Sequence, residues 1–289
     1  MRRQGVRDLR ARRTARSTKS RLQTSDLLLE IATSTLSVTI TETRIEGTPQ
    51  LEAFLVHPER SSAQAPALLL CHGFPSTQRP GVPSRSYEQF AERVAEEQGW
   101  VVLAVSLRGC GQSEGQFSMV GWLDDVARSV RRLREEGSKQ IWLVGSTTGG
   151  SLAIMAAAQD PEIRGVAAMA PRADFDDWAA DPRRFVQHCR NVGVIDDDDY
   201  PDSINRWSDE LRQHRAIDSM KAMGERPLLI LHGTNDRQVP PDDAQLLADL
   251  HPAPELRLVN GADHRIRHDP RALAVLLGWL ERQAGERLD

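Results

Sequence analysis

Six short apolar segments recur along this chain, and stretches with the periodicity of a helix separate most of them. The apolar segments lie at residues 67–71, 101–106, 141–144, 165–169, 227–231 and 256–259. Most of them are continuous rather than alternating, which is typical of strands covered on both faces in a parallel sheet. Apolar residues recur at helical spacing in residues 87–98, 122–136, 151–159, 242–250 and 270–282. This alternation predicts an α/β fold with a doubly wound, mostly parallel sheet.

Two parts of the chain depart from that pattern. Residues 35–44 and 51–57 alternate apolar and polar side chains, which predicts an antiparallel hairpin with one solvent-exposed face. Residues 171–226 place more than fifty positions between two predicted strands. Its aromatic residues include Trp178, Phe185, Tyr200 and Trp207. We expect a small cap inserted into a core of residues 28–170 and 227–289, with an enclosed, partly apolar pocket.

The beginning of the chain is strongly basic. Residues 1–21 contain nine basic side chains and a single acid, Asp8, although the whole chain of 289 residues has a formal charge of −4. The segment has no apolar stretch of the kind that a secretory signal requires. We expect residues 1–27 to form a disordered tail. The alternatives are an organellar targeting sequence or an arm that binds nucleic acid or another polyanion.

Composition and spacing exclude several classes of protein. No run of about 18 apolar residues occurs, which excludes a membrane-spanning helix. The cysteines Cys71, Cys110 and Cys189 are too few and too scattered for a disulfide framework or a zinc site, which favours a reduced, cytoplasmic setting. The glycines within residues 109–115 do not fit the dinucleotide motif G-x-G-x-x-G, and the glycine-rich turn at 145–151 lacks the lysine of a P-loop. We therefore expect no cofactor.

The strongest functional signal lies where a predicted strand runs into a predicted helix, at residues 141–151. Gly145 and Gly149 flank Thr147 in the spacing of the nucleophile elbow, G-x-S-x-G. The flanking residues of such a turn must be small because the backbone bends sharply, and the central side chain is raised over the helix N-terminus. The free N–H groups of that terminus can stabilise an oxyanion. The sequence therefore predicts Thr147 as the nucleophile.

The central residue of this turn is threonine, whereas the motif has serine. Ser146 cannot take its place, because Val144 would then occupy the position of the first glycine. A β-branched residue is an outlier in the strained backbone of an elbow, where the strain is about 1–3 kcal/mol. Threonine does carry a hydroxyl that can attack a carbonyl carbon. We therefore expect Thr147 to act as a nucleophile that is slower than a serine in the same turn.

Two later loops carry the side chains that activate such a hydroxyl. Asp236 follows a buried predicted strand, where it can orient an imidazole, and His264 lies in the loop after the last strand, where it can act as a general base. Asp174, Asp176 and Asp177 are alternative acids, although we favour helix capping for these three.

Two backbone N–H groups are candidates for an oxyanion hole. Phe74 lies in the turn after the first buried strand, and Thr148 follows the predicted nucleophile. We interpret His72 and His232, which both precede a glycine at a strand end, as structural, with His72 supporting the oxyanion turn. His268 has no third ligand near it in the sequence, so we predict no metal site.

Five motifs, in this order and on matching predicted strands, resemble those of α/β-hydrolases of the serine-hydrolase type, such as small esterases and serine aminopeptidase-like members. They are HGF at 72–74, LRGCGQSEG at 107–115, the elbow at 145–149, HGTNDRQVP at 232–240 and GADH at 261–264. The resemblance covers residues 35–283. It implies the α/β-hydrolase fold and acyl transfer to water, with a triad in the chain order Thr147, Asp236, His264.

Three functions remain open from the sequence. The first is a cofactor-independent hydrolase that acts on small carboxylic esters, amides or thioesters, so that its partner is a small acyl substrate. The second is a catalytically weak or inactive member of the same fold that binds an apolar or acyl ligand. The third, independent of the others, is polyanion binding by residues 1–21, the only segment that suggests nucleic acid. No membrane partner is expected, and the sequence does not indicate an oligomeric state.

Overall fold

An eight-stranded sheet forms the centre of the chain in the computed structural model, which describes residues 37–59, 65–76 and 83–285. The predicted basic tail, residues 1–27, lies outside the described residues. The strands in chain order are β1 (Val38–Ile45), β2 (Leu51–Pro58), β3 (Ala67–Cys71), β4 (Val101–Val105), β5 (Ile141–Ser146), β6 (Ile163–Met169), β7 (Leu228–Gly233) and β8 (Pro254–Val259). Their order across the sheet is β1-β2-β4-β3-β5-β6-β7-β8.

The sheet is parallel except at its N-terminal edge. β1 pairs antiparallel with β2, and β2 pairs antiparallel with β4, whereas every pair from β4 to β8 is parallel. The predicted hairpin of β1 and β2 is present. Its predicted solvent-exposed face is found mainly on β1, because six of the eight residues of β2 are buried, with Ala53 and Leu55 in one apolar cluster and Phe54 and Val56 in the other.

Helices cover both faces of the sheet. They are α1 (Glu88–Gln98), α2 (Met119–Glu135), α3 (Thr148–Gln159), α4 (Asp176–Ala180), α5 (Pro182–Val192), α6 (Ile204–Gln213), α7 (Ala216–Met223), α8 (Pro241–Asp249) and α9 (Pro270–Gly285). Alternate residues of β3 belong to different apolar clusters, with Leu69 in one and Leu68 and Leu70 in the other. Because side chains of a strand point alternately to its two faces, both faces carry a core. The predicted doubly wound α/β fold is confirmed.

Four helices, α4 to α7, lie between β6 and β7. α4, α5 and α6 contact one another, and α7 packs against α3. The aromatic residues of this insertion are packed together rather than arranged around a space. The ring of Trp178 stacks on that of Phe185 with centroids 4.3 Å apart, and the Trp207 indole N–H donates to the carbonyl of Phe117 at 3.0 Å. The insertion is thereby tied to the segment before α2.

A buried ion pair fixes the loop after β4. The Asp125 side chain on α2 is fully buried and lies 2.7 Å from the guanidinium of Arg108, whose backbone N–H also donates to Asp125 at 2.8 Å. The neighbouring Leu107 N–H donates to His72 Nε2 at 2.9 Å. This loop therefore supports the turn that follows β3. Within the described ranges, no helix has the length and apolar character needed to cross a membrane.

Candidate active site

Thr147 occupies the turn between β5 and α3 with an unusual backbone conformation. Its φ of 54° and ψ of −119° are close to those of the first central residue of a type II′ turn, a position that glycine dominates. Its N–H donates to the carbonyl of Met169 at 2.7 Å, and its carbonyl accepts from Gly150 at 2.9 Å. The hydrogen bonds hold the backbone in a conformation that is strained by about 1–3 kcal/mol for a residue with a β-carbon.

Three glycines make room for this turn. A β-carbon on Gly145 would overlap the carbonyl of Gly149, and one on Gly149 would overlap the carbonyls of Cys71 and His72. A β-carbon on Gly73 would lie 2.9 Å from the carbonyl oxygen of Ser146 and 3.1 Å from Cβ of Thr147. The end of β3, the turn and the start of α3 therefore fit together only because these positions lack side chains.

Thr147, His264 and Asp236 lie together in one chain of hydrogen bonds. The Thr147 hydroxyl is 3.3 Å from Nε2 of His264, and Nδ1 of the same ring is 2.8 Å from Oδ2 of Asp236. Because the carboxylate can only accept, the proton of the neutral imidazole is on Nδ1, and Nε2 is left as an acceptor that faces the hydroxyl. The hydroxyl-to-imidazole distance is at the long end for a base and its nucleophile before substrate binds.

Asp236 is held as a buried carboxylate by four donors. Its Oδ1 accepts from the N–H groups of Gln238 at 2.8 Å and Val239 at 2.9 Å, and its Oδ2 lies 3.3 Å from Nε2 of His232 besides contacting His264. Burial acts to raise the pKa of Asp236, but the hydrogen bonds from His232, His264 and the two backbone N–H groups outweigh it and hold that pKa well below its ordinary value. The carboxylate is therefore ionised wherever the protein is folded near neutral pH.

His232, interpreted from the sequence as structural, contacts the acid of this chain directly. Its Nε2 lies 3.1 Å from the carbonyl oxygen of Val239 as well as 3.3 Å from Asp236. Both neighbours are acceptors, so Nε2 carries the proton of the neutral ring. The sequence did not predict this contact. The only signal for it was the four-residue spacing of His232 and Asp236 at the end of one strand.

The turn after β3 is held by His72. Its Nε2 accepts from Leu107, so its Nδ1 carries the proton and donates to the carbonyl of Gly73 at 2.8 Å. In a trans peptide the N–H points opposite to the carbonyl, so the Phe74 N–H is directed away from His72. Among the described residues, neither Phe74 N–H nor Thr148 N–H has an acceptor. Phe74 lines the cavity described below, whereas Thr148 is fully buried.

The stability of the fold is expected to depend on pH through His72. Burial lowers the pKa of this imidazole to about 4, with a smaller contribution from the positive charge of Arg267, whereas an unfolded histidine has an ordinary value of about 6.5. The unfolded chain therefore binds a proton first as the pH falls, and stability present above about pH 6.5 is lost towards pH 4.

From these two pKa values, the free energy of unfolding is expected to fall by about 2 kcal/mol between pH 7 and pH 5 because of His72 alone. Urea unfolding of wild type and of His72→Asn at both pH values measures this contribution. The difference between the free energies of unfolding at pH 7 and pH 5 should be about 2 kcal/mol smaller in His72→Asn than in wild type. An equal difference in the two proteins would mean that His72 is not buried as a neutral ring.

The alternative acids lie elsewhere. Asp174 and Asp176 face Arg215 at 3.5 and 3.6 Å, and Asp177 pairs with Arg172 at 2.5 Å. Asp174 also accepts from the N–H of Asp176, and Asp176 and Asp177 lie in the first turn of α4, where negative charge is favourable, although the N-cap position, Phe175, has no side-chain cap. Among the described residues, no group of three or more histidine, cysteine, aspartate or glutamate side chains is arranged to hold a metal ion.

A cavity of about 410 Å³ opens onto Thr147 and His264. Its walls are the loop at 72–76, the turn at 83–87 and the loop at 264–268, together with Gln238. The described residues of the insertion, 171–226, do not line it. The ring of Phe74 instead packs among the aromatic residues of the insertion, so the pocket expected beneath the cap is filled by side chains.

Sequence comparison identifies the family of this chain. Residues 68–276 match the model of the alpha/beta hydrolase family, and the chain belongs to that family. The uncharacterized protein RP471 of Rickettsia prowazekii (strain Madrid E) is 26% identical over 187 residues, which are 61% of this chain and 74% of that protein.

Solved structures share the fold. Est1E of Butyrivibrio proteoclasticus with bound ferulic acid has a TM-score of 0.62 at 19% identity, and the match covers 83% of this chain and 96% of that chain. The alpha/beta hydrolase GrgF from Penicillium sp. sh18 has a TM-score of 0.64 at 18% identity, with 86% and 100% covered. The esterase PF2001 of Pyrococcus furiosus has a TM-score of 0.59 at 18% identity, with 86% and 91% covered.

Proposed function

We propose that this chain is a cofactor-independent hydrolase of small carboxylic esters, with amides and thioesters as chemically related substrates. The observation that carries the proposal is the unbroken hydrogen-bond chain from the Thr147 hydroxyl through His264 to the buried carboxylate of Asp236. Nothing in the packing of the fold requires a hydroxyl, an imidazole and a carboxylate to be joined in this order. The same order activates hydroxyl nucleophiles in acyl transfer.

The reaction proceeds through two acyl transfers. In the first, Oγ1 of Thr147 bonds to the substrate carbonyl carbon while its proton passes to Nε2 of His264. The resulting imidazolium returns this proton to the leaving alkoxide as the bond between carbonyl carbon and leaving oxygen breaks, which leaves an acyl group on Thr147. In the second, His264 takes a proton from water and the hydroxide bonds to the acyl carbon. The imidazolium then gives this proton to Oγ1 of Thr147 as the bond between the acyl carbon and Oγ1 breaks, which releases the carboxylic acid. Asp236 keeps the ring in the required tautomer and stabilises its charged form.

The N–H groups of Phe74 and Thr148 are proposed to stabilise the negative oxygen of both tetrahedral intermediates. The Phe74 group is positioned by the hydrogen bond from His72 to the preceding carbonyl. The Thr148 group belongs to the first turn of α3, where the N–H groups have no partner within the helix. Preorganised donors of this kind are among the largest contributions to acyl transfer.

The backbone at Thr147 favours a second candidate function. A β-branched residue at φ 54° is strained, and its methyl group adds bulk beside the attacking oxygen. The alternative is therefore a protein of the same fold in which catalysis is weak or absent and an acyl or apolar ligand is held at the same site. The rate of the wild-type protein relative to a serine variant distinguishes the two functions.

The test is the hydrolysis of 4-nitrophenyl butyrate by wild type, Thr147→Ser and Thr147→Ala. We expect wild type to turn over above background, Thr147→Ala to be slower by about 10³-fold, and Thr147→Ser to be faster by about 10-fold, because serine removes the methyl group from the strained turn. Activity in Thr147→Ser with none in wild type would favour the ligand-binding alternative. Equal rates for wild type and Thr147→Ala would contradict the proposed nucleophile.

A further inference from the structure

We propose that the substrate of this site carries a carboxylate, and that Arg267 binds it. The inference rests on the proposed hydrolase function, since it names the class of ester that the cavity takes. Thr147, His264 and Arg267 all line the same cavity of about 410 Å³. The substrate would therefore present an ester to Thr147 and a negatively charged group to the guanidinium.

Arg267 is held in place from two sides. It lies in the short 3-10 helix Ile266–His268, and its side chain is half-buried. Its Nη1 donates to the backbone carbonyl of Ser86 at 3.3 Å and to the hydroxyl of Ser86 at 3.2 Å. Its guanidinium carbon lies 5.0 Å from the centre of the buried Tyr87 ring. A long side chain fixed in this way loses little further freedom when it binds a ligand.

The charge of Arg267 is not neutralised by the described part of the chain. No carboxylate among the described residues lies within 4.0 Å of Arg267 or of the neighbouring Arg265. The described walls of the cavity contain both arginines, His264 and His268, but no acid. Asp236 lies behind His264 with both of its oxygens occupied by donors. The cavity therefore presents positive charge towards a ligand.

Two other arginines, which do not line the cavity, are already paired. Arg85 contacts Glu42 and lies 3.6 Å from Glu88, and Arg271 contacts Asp269 through two nitrogens, at 2.6 and 3.0 Å. Arg267 differs from them because it faces the cavity without such a partner. Partial burial of an unpaired guanidinium costs free energy. A substrate that supplies an anion offsets this cost when it binds.

The free edge of Arg267 indicates the kind of anion. Its Nη1 contacts Ser86, whereas its Nε and Nη2 have no acceptor among the described residues. These two nitrogens present parallel N–H groups, which match the two oxygens of a carboxylate. Arg267 also lines a second cavity of about 230 Å³, which shares Ser86, Tyr87 and His268 with the first. The positive charge also contributes to the lowered pKa of His72, so its field reaches the proposed oxyanion turn.

The inference is tested with two matched substrates, 4-nitrophenyl hemiadipate, which has a terminal carboxylate, and neutral 4-nitrophenyl hexanoate. The measured quantity is the ratio of their kcat/KM values in wild type, Arg267→Gln, Arg267→Lys and Arg271→Gln. We expect wild type to prefer hemiadipate, and Arg267→Gln to lower the ratio by about 10- to 100-fold through loss of a charge-assisted bidentate contact. Arg267→Lys should recover part of the preference. Arg271→Gln removes the same charge from a paired arginine and should keep the wild-type ratio.

The outcomes separate this inference from the proposed function. Hydrolysis of both esters with the same ratio in wild type and Arg267→Gln would overturn the inference and leave the hydrolase intact. If wild type hydrolysed neither ester, the proposed function would fail, and adipate binding measured by calorimetry would decide the inference. Adipate binding to wild type, with an affinity at least 10-fold weaker for Arg267→Gln, would support the inference. Equal binding, or no binding to wild type, would overturn it.

Discussion

Replacement of His264 by alanine is expected to reduce kcat for ester hydrolysis by about 10²–10⁴-fold. The variant removes the only group within hydrogen-bond reach of the Thr147 hydroxyl that can accept its proton, among the residues that the structure describes. KM should change much less, because the imidazole accepts the proton in the transition state and contributes little to binding of the substrate in the ground state. The measurement is steady-state hydrolysis of 4-nitrophenyl butyrate by both proteins, with His57→Gln on β2 as a control that removes a distant histidine.

A second variant shows whether His264 and Asp236 act as one unit. Asp236→Asn keeps the shape of the side chain but allows the ring to take the wrong tautomer, so a loss of similar order is expected. The double variant His264→Ala/Asp236→Asn should be no slower than His264→Ala alone, since the carboxylate acts through the ring. Additive losses in the double variant would contradict this arrangement, as would full activity in His264→Ala.

Replacement of Gly149 by alanine is expected to lower the free energy of unfolding by about 3 kcal/mol or more. The new methyl group would overlap the carbonyl oxygens of Cys71 and His72, which belong to the end of β3 and the turn after it. These are backbone atoms of a strand buried in the middle of the sheet, so they cannot move aside as a flexible side chain would. Urea unfolding followed by far-ultraviolet circular dichroism measures the change.

The matched control is Gly278→Ala in α9. The nearest heavy atom that its methyl group would meet is 4.0 Å away, at the end of the Arg282 side chain. Alanine is favoured over glycine within a helix by about 0.5–1 kcal/mol, so this variant should be more stable than wild type. A Gly149→Ala variant as stable as wild type would contradict the close packing of α3 against the end of β3.

Much of the fold was predictable because its signals are local. Each buried parallel strand is a short apolar run in the sequence, and each covering helix repeats its apolar residues at helical spacing. The solvent exposure of the hairpin was predicted less well, because the sequence pattern of a strand does not show which elements pack against its two faces. β2 alternates like a strand with one exposed face, yet side chains on both of its faces are packed in the two apolar clusters of the core.

The candidate site was predictable in its residues but not in its surroundings. Thr147, Asp236 and His264 each occupy a recognisable position after a strand, and parallel strands bring their carboxyl ends to one edge of the sheet. The composition of the insertion suggested a pocket, because aromatic residues line pockets and also fill cores. Trp178 and Phe185 fill a core, together with the ring of Phe74. The role of Arg267 depends on contacts with Ser86 and Tyr87 that are about 180 positions away, and no local pattern predicts them.

The measurement that tests the central claim most directly is intact mass after incubation with a fluorophosphonate. Attack by Oγ1 of Thr147 on phosphorus expels fluoride and leaves a stable covalent adduct, whose mass is read without knowledge of the natural substrate. We predict adduct formation in wild type and faster formation in Thr147→Ser. No adduct is expected in Thr147→Ala or His264→Ala on the same time scale. An unlabelled wild type beside a labelled Thr147→Ser, or equal labelling of wild type and Thr147→Ala, would contradict the claim that Thr147 is a working nucleophile.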